Sequence, residues 1–274
     1  MSPGFRYHVA SLAAVFLALG VGILIGSSYV QGPIVERQTR RLAELRQQFI
    51  REVEPARIAN RRYADFVAAA GPYLVGERLR GVRAAVVQTG DYPDCVRTVQ
   101  EALEQAGAEV GGVVVIDPAF PARLAAGQGI AIGDAATAIR RLAAALARPG
   151  GDRMLGTLRD AHLLDYRGDF SQPAHAVVLV GGAREGMASR TSRVDVPLAR
   201  ELAALGARVA AAEPEAAAVS SIPDLAPAGI PTVDNADTDI GRIAIVRALG
   251  APPADYGVKP TARGGILPPH PSTP

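Results

Sequence analysis

The stretch SLAAVFLALGVGILIG (Ser11–Gly26) limits what this chain can become more than any other part of it. No charged residue occurs from Val9 to Val30. As a helix rising 1.5 Å per residue, such a run is roughly 30 Å long, about the thickness of a bilayer's hydrocarbon core. A secretory signal core is shorter, about 7–15 residues. The small residues Gly26-Ser27-Ser28 would still suit a cleavage site, and a buried helix of a soluble domain is a third outcome. The length favours an anchor that stays, occupying residues 1–30.

Within that anchor Ala10, Ala14, Ala18, Gly22 and Gly26 recur at every fourth position and form one smooth helical stripe. Stripes of this kind let two membrane helices approach closely, so self-association through this face is expected. Orientation draws on two opposed signals. Arg37, Arg40 and Arg41 after the segment outnumber Arg6 before it, which by the positive-inside rule places the N-terminus outside. A short tail ahead of a signal-like segment stays inside. The second signal is adopted here: N-terminus inside, body exported.

A break is expected at Gly32-Pro33, followed by a stalk at 34–72. With Val35 at heptad position a, the seam collects Leu42, Leu45, Phe49, Tyr63 and Phe66, interrupted by Gln38 and Glu52. This predicts a coiled coil that Pro55 kinks or divides. Eight Arg face four Glu between Glu36 and Arg62, which fits either a solvated helix surface or a basic stalk near anionic lipid.

The pattern changes near residue 80. VRAAVVQTG, VGGVVVID, AHAVVLVGG, ARVAAAE and GIPTVDN are short β-rich runs. PDCVRTVQEALEQAG, DAATAIRRLAAALA, VPLARELAALG and IGRIAIVRALG are helical segments placed among them. Alternation of this kind predicts crossover units. The expected fold class is therefore α/β: a single N-terminal transmembrane helix, a coiled-coil stalk, then a mainly parallel sheet flanked by helices over 80–250. The Pro-rich end, 251–274, is expected to be disordered.

Composition sets the limits on chemistry. At 49% hydrophobic and 20% charged the chain can bury a core. A net charge of +2 gives no nucleic-acid signature. Lys259 is the only lysine among 29 basic residues, a bias toward Arg that matches the Ala and Gly excess. Cys95 is the sole cysteine, which rules out an internal disulfide and a cysteine zinc site. The histidines His8, His162, His175 and His270 are scattered. Ser220-Ser221 lacks a nucleophile-elbow context. No catalytic residue and no cofactor site is assigned, and an enzyme is not expected.

Ligand sites of parallel sheets lie at the strand carboxyl ends, which here offer Thr89, Asp91, Gly181, Gly182 and Asp234 as weak candidates, with Asp117 and Glu213 beside them. GGAREG matches neither dinucleotide nor phosphate-loop spacing, so a plain strand-to-helix turn explains it better. DNADTD clusters Asp234, Asp237 and Asp239 as for a hard cation, but N-capping of the next helix by Thr238 or Asp239 accounts for it more simply. Copper(I) would seek thiol or thioether sulfur. Cys95, Met1, Met154 and Met187 are the only such residues, and their spacing forms no site. Metal ligands stay unknown.

RYHVASLAAVFLALGVGILIGSS, AVVLVGGA and PTVDNADTDIGRIAIVRALGA…YGV, in this order, resemble the MctB-type copper transport proteins of the mycobacterial envelope. The resemblance implies a role in copper efflux or tolerance, with copper as the transported ion, an outer-envelope location and a pore as one possible form. The short, uniformly apolar strands do not match an outer-membrane barrel, which needs strands of about ten residues alternating apolar and polar. Expected partners are membrane lipid and a second copy of the chain, with no nucleic acid. An alternative is a structural envelope protein presenting an α/β head on a dimeric stalk.

Overall fold

The computed structural model describes residues 3–125, 133–185 and 190–269, with backbone alone at 3–4, 27–37, 39 and 124–125. Met1, Met187 and His270 lie outside these residues, as does the end of the GGAREG turn at Gly186. Two compact units make up the chain, Met1–Tyr63 and Ala64–Pro274.

Helix α1 spans Pro3–Val75 and accounts for the whole described part of the first unit. Its segment Phe5–Gly26 is long and apolar enough to cross a membrane and is fully exposed. The expected break at Gly32-Pro33 does not occur, and Pro55 does not end the helix either. Each proline costs roughly 3 kcal/mol of helix stability through one lost backbone bond and a carbonyl clash. Around Pro55 the flanking runs are dense in Ala, Leu, Arg, Glu and Gln, all strong helix formers, which offsets that cost, and the backbone also stays helical through Gly32-Pro33. The coiled-coil stalk is not seen as such: the segment is one helix, and Leu42, Leu45, Phe49, Tyr63 and Phe66 are all exposed on it.

The second unit is a three-layer α/β body. Its strands are β1 (Arg83–Gln88), β2 (Glu109–Ile116), β3 (Leu164–Gly168), β4 (Ala176–Val180), β5 (Arg208–Ala212), β6 (Thr232–Val233) and β7 (Asp255–Tyr256). They lie in the order β3-β2-β1-β4-β5-β6-β7. All neighbours are parallel except β2 and β3, which are antiparallel, so the sheet is mixed.

The central strands are buried on both sides, as sheets covered by helices must be. Alternate residues feed two cores. Ala85, Val87, Val177, Leu179 and Ala211 pack with Leu142, Leu155, Leu158 and Leu202 from α4 (Ala135–Ala147), α5 (Asp152–Asp160) and α6 (Val196–Ala204). Ala84, Val86, Val178, Val180 and Ala210 pack on the other face with Val96, Val99 and Leu103 of α2 (Pro93–Gln105). That face also receives Ile243 and Ile245 from α8 (Asp239–Ala248), and Val75 and Leu79 from the end of α1 and the turn after it. A short α3 (Phe120–Ala125) follows β2, and a one-turn α7 (Ile222–Leu225) precedes β6. The helix starts follow capping chemistry: Asp134 accepts from Thr137 N–H at the start of α4, and Thr238 from Gly241 N–H at the start of α8.

Two strands were not anticipated. LDYRG (β3) reads as polar because it is the outer edge strand, with only Leu164 buried. β7 falls in the segment expected to be disordered. Ala251–Pro269 instead closes the opposite edge: Thr232 N–H donates to Ala254 O, and Asp234 N–H to Tyr256 O. The Tyr256 side chain is 2% exposed, and its hydroxyl donates to Pro252 O at 3.2 Å. Prolines are compatible with this because β7 is two residues long and lies at a sheet edge. Tyr256→Ala should therefore lower the unfolding free energy of the body by about 3–5 kcal/mol. Truncation after Gly250 should abolish its cooperative unfolding. Denaturant unfolding followed by circular dichroism checks both, and a wild-type midpoint in the truncated chain would refute the packing role.

Candidate functional site

The chain leaves β1 for β2 on one side and later returns to β4 on the other, so the strand order reverses between β1 and β4. Ligands of open α/β sheets bind in the crevice outside such a switch point. Thr89, Gly90 and Asp91 follow β1 there, and Gly181 and Gly182 follow β4.

Backbone groups close this crevice. The N–H groups of Thr89 and Gly90 both donate to Val180 O at 2.9 Å, and Asp91 N–H donates to Gly182 O at 3.0 Å. Gly90 has no space for a Cβ, because the carbonyls of Gly181 and Gly182 occupy it. Asp91 Oδ2 accepts from Arg184 N–H at 3.0 Å. The Tyr92 hydroxyl donates to Ala183 O and accepts from Ala218 N–H, both at 3.2 Å. What is left is a cavity of about 10 Å³ lined by Thr89, Gly181, Gly182, Asp195 and Ser221, among others. That is the room one water needs.

Asp195 sits beside this cavity at the end of a π-helical turn, Thr191–Asp195, that leads into α6. It is 2% exposed. Its Oδ2 accepts from Thr89 Oγ1 at 3.1 Å, and its Oδ1 has no partner. Burial pushes its carboxyl up to about 7, against the opposing pull of Arg190. Arg190 is also buried; its Nη2 donates to Ile116 O at 2.8 Å, while Nε and Nη1 are unpartnered.

A second cluster lies one strand further along. Glu213, at the end of β5, is completely buried and fully bonded. Its Oε1 accepts from Lys259 Nζ and from Ser220 Oγ, each at 2.7 Å. Its Oε2 accepts from Ser221 N–H at 2.8 Å and from Ser221 Oγ at 3.2 Å. Ser221 Oγ in turn accepts from Gly182 N–H at 3.2 Å, which links this cluster to the crevice. Lys259 Nζ also reaches Pro214 O at 3.1 Å. Asp234, after β6, holds the same tail by its backbone, accepting from Val258 N–H at 2.8 Å and Lys259 N–H at 3.0 Å. Gly257 (φ +134°) passes so close to the Asp234 carboxylate that a side chain there would strike it.

The sequence candidates are thus distributed as follows. Thr89, Gly181 and Gly182 meet around the small cavity, Asp91 forms its lip, and Asp234 lies in the separate tail clamp. Asp237 Oδ1 accepts from Glu215 N–H at 2.7 Å and Thr238 caps α8, so DNADTD is occupied by backbone contacts. Sequence reasoning missed Asp195, Arg190 and the Glu213–Lys259 pair. Glu213 was picked by its strand-end position but without its partner, and the lone lysine, Lys259, is the signal that could have supplied it: one lysine in a chain that otherwise uses arginine fits a place where a compact ammonium is needed. Among the described residues no three His, Cys, Asp or Glu side chains are grouped to hold a metal. The Cys95 thiol is buried, and burial pushes it up to about 12, so in the absence of a metal it is protonated at neutral pH.

The family described as "Copper transport outer membrane protein, MctB" matches residues 4–267. The "Copper transporter MctB" of Mycobacterium bovis and that of Mycobacterium tuberculosis are each 26% identical over 288 residues, covering 89% of this chain and 91% of theirs.

Two outcomes follow from the site. Lys259→Met leaves Glu213 charged and buried without its cation, and should cost about 3–5 kcal/mol in urea unfolding, with Glu213→Gln in the same chain restoring part of it. Asp195 gives a pH dependence. Its unfolded carboxyl ionises near 3.8 and its folded one near 7, so between those values the folded state holds more protons. Its contribution to stability is therefore present below about pH 4 and is lost as pH rises toward 7, by up to about 1.4 kcal/mol per pH unit. Asp195→Asn should flatten that fall. Unfolding midpoints of the two chains across pH 4–8 should converge at the acid end, and parallel curves would count against the assignment.

Proposed function

Because this chain belongs to the family of copper transport outer membrane proteins, MctB, we propose that it is a single-pass envelope protein assisting copper efflux. The family match carries this reading, since it runs from residue 4 to residue 267 and takes in both the apolar helix and the β7 edge of the body. Helix and body are then one functional arrangement. Phe5–Gly26 holds the protein in the membrane with the body on the exported side.

The role is that of an accessory to transport. The body's sheet is open and covered by helices on both faces, so it has no barrel lumen for an ion. Its carboxyl-edge polar groups are largely bonded to one another. A conduit would have to run between copies of the anchor helix. Self-association through the stripe Ala10, Ala14, Ala18, Gly22 and Gly26 provides those copies. The exposed seam Leu42, Leu45, Phe49, Tyr63 and Phe66 gives them a second contact, where burial stabilises by about 25 cal/mol per Å². The seam also favours the alternative, a structural protein presenting its α/β head to envelope partners.

A deletion strain should be more sensitive to copper, with resistance restored by the full chain but not by residues 64–274 alone. Unchanged copper tolerance would leave the structural reading in place. Reconstitution in lipid with a copper-flux readout separates conduit from accessory. For topology, Cys95 is silent in the folded body, so Glu104→Cys on the exposed side of α2 should be the only position labelled by a membrane-impermeant thiol reagent at the cell exterior. Labelling only after lysis would place the body inside. Gly22→Ile with Gly26→Ile should reduce crosslinked dimers, whereas Ile23→Ala, off the stripe, should not. Equal crosslinking would disprove the stripe's role.

A further inference from the structure

The sheet's amino edge, opposite the closed crevice, carries a pocket of about 330 Å³. Arg208 opens β5, Arg247 stands in the last turn of α8, and Arg78 follows the end of α1. These three elements converge so that all three arginines line the pocket, over a floor that includes Leu79 and Leu249. None of the pocket's lining residues is acidic.

Several arginines elsewhere on the body have carboxylate partners. Arg83 pairs with Glu109 and Asp169, Arg97 with Asp94, and Arg242 with Glu101. Among the described residues, no ion pair reaches Arg78, Arg208 or Arg247. Arg247 uses its Nε on Pro268 O at 3.1 Å, which leaves its two terminal nitrogens for other work. Burial, and after it the like charge of Arg78, hold the Arg247 guanidinium below its usual range. The carboxyl end of α8 contributes about half a negative charge to this region, too little to balance three guanidinium groups. Repulsion of this kind is relieved when an anion sits between the charges.

We propose that the pocket formed by Arg78, Arg208 and Arg247 binds a phosphate group, free or as the ester of a small organic molecule. Guanidinium groups offer planar forks of N–H donors that match phosphate oxygens in pairs. The volume is at the lower end for small-molecule sites and exceeds what a bare phosphate fills. Apolar atoms of the floor then face the organic part of the ligand. The site selects against a copper cation, so it is a second, separate function of the body.

The full-length chain in neutral detergent is titrated at constant ionic strength with inorganic phosphate, with glycerol 1-phosphate, and with micelles doped with phosphatidylglycerol. Saturable heat by calorimetry and a raised unfolding midpoint are expected with at least one of the three. Saturation by either soluble ligand identifies a free phosphate compound, whereas saturation by the doped micelles alone identifies a lipid headgroup. Arg208→Gln is the main variant because Arg208 is exposed, and an unchanged circular dichroism spectrum is expected of it. It should weaken binding about tenfold or more, the cost of one charge-assisted contact. Arg153→Gln, an exposed arginine outside the pocket, should not change it. No saturable binding to any of the three probes, or equal weakening in both variants, would overturn the proposal.

Discussion

The buried pair of Glu213 and Lys259 holds together segments that are far apart in the chain. One carboxylate with no solvent exposure receives four hydrogen bonds, from the tail lysine, from two serines after β5 and from one serine backbone. Such a charge is tolerable only when every acceptor site is filled. That requirement fixes where the Ser220-Ser221 turn lies and where residue 259 must be. Through Ser221 it reaches Gly182, and with Asp234 gripping Val258 and Lys259 it sets β7 beside β6. The far half of the sheet, from β4 to β7, is assembled around that one pair.

The same network has consequences for function. In many α/β proteins the switch point stays open for a ligand. Here Gly90, Gly181 and Gly182 lack side chains, so the two loops approach until their backbones hydrogen-bond and leave space for a single water. Asp195 is left beside that space with one oxygen unpartnered. The body thus keeps its most polar edge closed, while its amino edge carries open pocket volume and unbalanced positive charge. Among the described residues, one helical segment, Phe5–Gly26, is long and apolar enough to cross a membrane, and it lies outside this body.

How far residues alone disclose this varies by element. The apolar N-terminal helix is legible because apolar length and charge-free run depend only on local composition. The crossover strands and helices are legible because short β-branched apolar runs and the helical period of 3.6 are local as well. The helix through Gly32-Pro33 and Pro55 was not, because a breaker's effect is weighed against the strength of its flanks. The ends of the sheet were not, because LDYRG and the Pro-rich tail become strands only where a neighbour offers an edge. Thr89, Gly181, Gly182 and Asp234 could be picked from strand-end position, but nothing in their neighbours in sequence says which carbonyl or amide each will meet.

The sequence by itself therefore determined the apolar helix of membrane-spanning length, the α/β class, the two-faced packing of the central strands and the family. Each rests on patterns within a window of about twenty residues or on whole-chain similarity. The tertiary structure alone decided that Glu213 pairs with a lysine 46 residues away, that the switch-point crevice is closed, and that Arg78, Arg208 and Arg247 share one pocket. Those outcomes depend on which distant segments the sheet order brings together, and strand order is set by packing across the whole body.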